Sequence, residues 1–168
     1  KITLIGGNIL MVFPKQILLA GLMLLTSCLH AELKILSVTE RYWDQIEFKR
    51  VIEYFTGEEF SGRQLILRSN PEKRSGMYFE LSLSEKPNAL PKNSVIVLQM
   101  YRSGALHPKL YEFKMPEDLR EKRDILLGVT GEDWPSRETK LIAWRMEVRT
   151  VDQKLLAQKQ SFLWDHEK

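Results

Sequence analysis

The chain is poor in the residues that most often do chemistry. Among 168 residues there is one cysteine, Cys28, so no disulfide can form within the chain, and only three histidines, His30, His107 and His166. No histidine is spaced with another histidine or with the cysteine as zinc ligands require. The sequence lacks a G-x-S-x-G elbow, a P-loop and a G-x-G-x-x-G turn. Gly128-x-x-Gly131 has neither the lysine nor the following helix that a phosphate cradle needs. Adjacent acids such as Glu58-Glu59 and Glu117-Asp118 fall in turn-like sequence, where solvated surface is the simplest reading. No catalytic residue is assigned and no cofactor or metal is expected. Long apolar runs are missing too: the longest, Ile17 to Leu25, is far short of the roughly 20 residues that span a bilayer.

That short run has another use. Lys15 precedes it, it carries no charge, and it ends in small and polar residues, which is the layout of an export signal. Met11-Val12-Phe13-Pro14-Lys15 places a start residue beside the cation. Residues 1–10 then read as a leader outside the protein, 11–27 as the signal peptide, and 28–168 as one domain without an internal repeat or linker. Leu25-Thr26-Ser27-Cys28 resembles the lipobox of bacterial lipoproteins. The resemblance implies cleavage before Cys28 and a lipid on its sulfur, which would account for an unpaired thiol in an exported chain. Cleavage after Ala31, leaving no cysteine, is the alternative. Either way the expected location is the cell envelope, periplasmic or anchored in the outer membrane where the cell has two, because Leu29 is not the aspartate of an inner-membrane retention signal.

The formal charge of +3 counts Lys1 and Lys15, which leave with the signal, so the remaining domain is nearly neutral. A nucleic-acid partner is not expected from such a balance.

Period-two alternation dominates the rest. Met77, Phe79, Leu81 and Leu83 share one face of a predicted strand, as do Ile142, Trp144, Met146 and Val148. Further strands are expected over Leu33–Val38, Gln64–Arg68, Val95–Arg102, Lys109–Met115, Asp124–Val129 and Leu155–Trp164, separated by turns such as Ser69-Asn70-Pro71. The pattern predicts a mainly β fold, an antiparallel β-sandwich that is immunoglobulin-like in the broad sense, existing as a monomer. One segment differs. Phe48, Val51, Ile52 and Phe55 follow a helical spacing behind the capping pair Asp44 and Glu47 and before Gly57, which predicts a short amphipathic helix over 44–55; a bulged edge strand over Ile46–Tyr54 is the competing reading.

Glu53-Tyr54-Phe55-Thr56-Gly57, Arg74-Ser75-Gly76-Met77-Tyr78-Phe79, Gly128-Val129-Thr130-Gly131-Glu132-Asp133-Trp134-Pro135 and Ser161-Phe162-Leu163-Trp164 together resemble uncharacterised small exported bacterial proteins. That resemblance implies a secreted β-rich domain and brings no activity with it.

Two features remain as binding candidates. Arg63, Arg68, Lys73 and Arg74 flank a hairpin expected between strands 64–68 and 77–83, where Arg68 and Arg74 can meet across the turn and take an anionic partner such as an envelope protein or an anionic glycan, unless Glu72 and Glu80 neutralise them. Trp134 sits in the turn-like Gly131–Arg137, either plugging the end of the sandwich or presenting a surface. The function expected is a non-catalytic envelope binding or assembly module. The alternative is an envelope enzyme acting on glycan or peptide through scattered carboxylates.

Overall fold

A computed structural model describes residues 32–119, 122 and 124–167, all within one compact unit, so the segment expected to be a signal peptide and Cys28 lie outside the described residues. Among the described residues eight strands form two four-stranded sheets. The first sheet has the order β1-β3-β6-β2, built from β1 (Ile35–Trp43), β3 (Gly76–Leu83), β6 (Asp124–Thr130) and β2 (Gln64–Arg68). The second has the order β5-β4-β7-β8, built from β5 (Lys109–Lys114), β4 (Val95–Arg102), β7 (Leu141–Arg149) and β8 (Leu155–Gln160). No helix among the described residues is long and apolar enough to cross a membrane.

Alternation fixes the inward faces. Phe79 and Leu81 from β3, Ile125, Leu127 and Val129 from β6, and Leu65 from β2 join Ile96, Leu98 and Met100 from β4 and Trp144, Met146 and Val148 from β7 in one core shared by both sheets. The fully buried Phe79 meets Trp144 edge-on with ring centroids 6.2 Å apart. This arrangement fits a sandwich. At one seam the layers are tied by Trp144, whose indole N–H donates to the Glu40 carboxylate of β1, and by Lys159 of β8, whose ammonium donates to the Leu36 carbonyl.

Three expectations are corrected. Strands β2 and β3 do not form a hairpin: β2 runs parallel to β6, and β3 pairs antiparallel with the other side of β6. Parallel pairing needs a long connection, and here it is residues 69–123, which include β3, β4 and β5, while residues 44–63 carry the chain from β1 at one edge of the sheet over its outer face to β2 at the other. The expected helix over 44–55 is instead two single turns, α1 (Gln45–Phe48) and α2 (Glu53–Thr56), with Lys49 between them in extended conformation at ψ 126°. Only Phe48 of the apolar stripe is buried, while Val51, Ile52 and Phe55 are exposed. The capping pair does form at α1, where the Glu47 carboxylate accepts from the Asp44 N–H at 2.8 Å. Finally, the last strand ends at Gln160, and Phe162–Glu167 turn into a 3₁₀ helix that sets Trp164 against Tyr101.

Candidate functional site

The outer face of the first sheet carries the chemistry. Register aligns Arg68 of β2, Gly128 of β6, Tyr78 of β3 and Arg41 of β1 in one row. Gly128 is what lets this row close. A Cβ there would come within 2.7 Å of Tyr78 Cζ, so only a bare backbone allows the Tyr78 ring to lie across β6. The ring carries its hydroxyl to Arg68, whose Nε donates to it at 2.7 Å, and the hydroxyl donates onward to the Arg74 carbonyl at 2.7 Å.

Residues 44–63, the cap, lock onto this row. Phe48 packs on Tyr78 at 4.8 Å and on Trp43 at 5.0 Å between centroids. The Arg68 guanidinium lies 4.9 Å from the Phe48 ring centroid and grips Glu59 with two parallel bonds of 2.7 and 2.6 Å. Arg74 donates to Glu53 at 2.8 Å. Hydrogen bonding to Arg74 holds the Glu53 carboxyl below its ordinary range, and burial pushes the Tyr78 phenol above its own.

Arg68 and Arg74 both reach the Glu59 carboxylate, at 2.6 and 3.7 Å, and so turn inward. The Arg68 side chain is only 8 % exposed, and the neutralising acids are Glu59 and Glu53, delivered by the cap, rather than Glu72 and Glu80. Lys73 stays exposed at the turn. Trp134 is a plug: it is 2 % exposed and belongs to the main core, so it offers no binding surface. A loop aromatic followed by Pro135 gave no sequence sign of which way it faces.

Arg63 lies elsewhere, in a cleft of about 270 Å³ with Trp43, Phe48, Arg50, Phe60 and Gln64. Its aromatic wall comes from the end of β1 and from the cap. Glu59, its single carboxylate, is bound to Arg68, whereas Arg50 and Arg63 have no ion-pair partner among the described residues. Reasoning from sequence missed Arg50, Trp43 and Phe60, because the crossover that gathers them with Arg63 leaves no local pattern. Two other clefts, of about 390 and 190 Å³, also hold one carboxylate each, Glu112 and Glu53. None of the three brings together the pair of carboxylates that acid–base chemistry on a glycan uses. No protein-family model matches the chain, and no curated protein matches its sequence.

Proposed function

We propose that the protein is a non-catalytic binding module of the cell envelope, exported, monomeric and held at a membrane by a lipid on Cys28. The observation that carries this reading is the cleft beside the cap. It is walled by Trp43 and Phe60 and flanked by the guanidinium groups of Arg50 and Arg63, which have no ion-pair partner among the described residues. Arginine suits bidentate contact with carboxylate or phosphate, and an aromatic wall beside it favours a ligand with an apolar face. The ligand class is therefore anionic: an acidic glycan or an anionic group on another envelope component.

The same proposal takes the sandwich to be immunoglobulin-like. Strand order supports it. With β2 set aside, β1-β3-β6 and β5-β4-β7-β8 reproduce the A-B-E and C′-C-F-G neighbours of that architecture, and β2 is an added strand on the open edge of β6.

Calorimetric titration with an oligogalacturonate, a soluble polycarboxylate sugar, tests the cleft. Binding that weakens with salt and falls at least tenfold in Arg50→Ala with Arg63→Ala is expected. Equal affinity in wild type and double variant removes the cleft from the reading, and release of reducing ends from the oligosaccharide would make the protein an enzyme.

A further inference from the structure

The cap carries a second feature, which is what it leaves outside. Ile46, Val51, Tyr54, Phe55 and Phe60 keep 75, 75, 82, 85 and 55 % of their surface exposed. Exposed apolar side chains scattered singly need no explanation, but a concentration within residues 46–60 marks a contact surface. Phe60 also walls the cleft and Tyr54 lines the smaller one beside Lys49 and Arg50, whereas Ile46, Val51 and Phe55 line none of the three clefts and protrude. Phe48 alone fills the space between cap and sheet, and the Arg68–Glu59 and Arg74–Glu53 pairs hold the backbone down, so the neighbouring apolar groups point away.

The charges on the same segment are sorted. Its acids face inward or sideways: Glu53 and Glu59 pair with Arg74 and Arg68, Glu47 pairs with Arg41 at 2.8 Å, and Asp44 lies 3.5 Å from Arg137. Its cations Lys49, Arg50 and the adjoining Arg63 have no ion-pair partner among the described residues, leaving Glu58 as the one acid not engaged. The outward chemistry is thus aromatic and aliphatic knobs beside three cations. A rigid protein partner must offer matching pockets for such knobs. A fluid bilayer need not, because aromatic and aliphatic side chains sink into the boundary between headgroups and acyl chains while Lys and Arg meet lipid phosphates.

We infer that the cap docks onto an anionic phospholipid bilayer, with Val51, Tyr54 and Phe55 entering the acyl boundary and Arg50 and Arg63 taking lipid phosphate. This deepens the anion-binding reading of the cleft and rests on it. It does not require a lipid on Cys28.

The test uses the full chain with Cys28→Ser and a single new thiol, Phe55→Cys, labelled with a fluorophore that brightens on leaving water; a second version carries the label at Glu112→Cys, on the opposite sheet. Vesicles of phosphatidylglycerol mixed with phosphatidylcholine should brighten the label at 55 several-fold and leave the one at 112 unchanged. Pure phosphatidylcholine should give little response. Adding Lys49→Gln, Arg50→Gln and Arg63→Gln should raise the lipid needed for half the response at least tenfold. No response at 55, an equal response at 112, or an equal response with both vesicle types overturns the inference. So does brightening that follows protein concentration without vesicles, which would make the occupant a second copy of the chain. In any of those cases salt-sensitive binding of the oligogalacturonate would leave the cleft standing as an anion site without a bilayer.

Discussion

At the scale of single residues, Tyr78 joins the parts of the outer face that no pairwise contact would hold alone. Its hydroxyl is the acceptor for Arg68 Nε and the donor to the Arg74 carbonyl. Tyr78→Phe removes both bonds while keeping the ring, leaving a buried guanidinium N–H and a carbonyl without their partner, at a cost of about 1–3 kcal/mol. The pH response has a definite sign. Burial raises the Tyr78 phenol above its ordinary value near 10, so its contribution to stability is fully present below pH about 10 and is lost as pH climbs through the higher folded value. Tyr111, raised by burial and then by Asp133, acts in the same direction. Urea unfolding midpoints between pH 8 and 11 should therefore fall with rising pH in wild type. In Tyr78→Phe they should start lower and fall less steeply, since only the shares of Tyr111 and of Tyr42, also raised by burial, remain. A parallel fall in both proteins would show that Tyr78 titrates alike in the folded and unfolded chain.

At the scale of elements, the cap is a crossover held by one buried aromatic and by ion pairs to Arg41, Arg68, Arg74 and Arg137 rather than by a buried helical face. Phe48→Ala should cost about 3 kcal/mol of local packing, a value typical of a buried phenylalanine, and should release the cap without unfolding the sheets. Trypsin should then cut at Lys49 and Arg50 faster than in wild type while the far-ultraviolet circular dichroism stays that of β structure; unchanged cleavage would mean that Phe48 does not anchor the segment. The cap is also where the sequence was least legible. Strands β3 and β7 could be read directly, because alternation is a local signal and each has one face in the core. The apolar spacing of Phe48, Val51, Ile52 and Phe55 satisfies a helix equally well on paper, yet three of the four have no surface to pack against. The parallel pairing of β2 with β6 depends on residues sixty positions apart and has no local mark. For the same reason Arg68 and Arg74 could be picked as neighbours across a turn, whereas Glu59 and Glu53, which neutralise them, come from a segment whose path was not visible.

At the scale of the whole molecule, the two sheets close differently along their two seams. Along the β1 edge, Glu40 bonds Trp144 of β7 and the Leu36 carbonyl bonds Lys159 of β8, which joins the layers. Between β2 and β5 a cleft of about 390 Å³ remains, lined by Ile66, Leu67, Phe113 and Lys114. Both seams nonetheless enclose one core, since Phe79 and Leu127 from the first sheet and Ile96, Leu98 and Met146 from the second are all fully buried within a single cluster. Neither sheet can cover its inner face without the other, so loss of one should expose the other at once. Trp144, wedged against Phe79 and bonded to Glu40, sits where such a loss is first felt. Residues 32–168 produced alone should then fold with mainly β circular dichroism, sediment as a monomer, and unfold in urea with coincident transitions by tryptophan fluorescence and by circular dichroism. A helix-dominated spectrum would contradict the strand assignment. Two separated transitions would mean that the sheets unfold independently and that the shared core does not couple them.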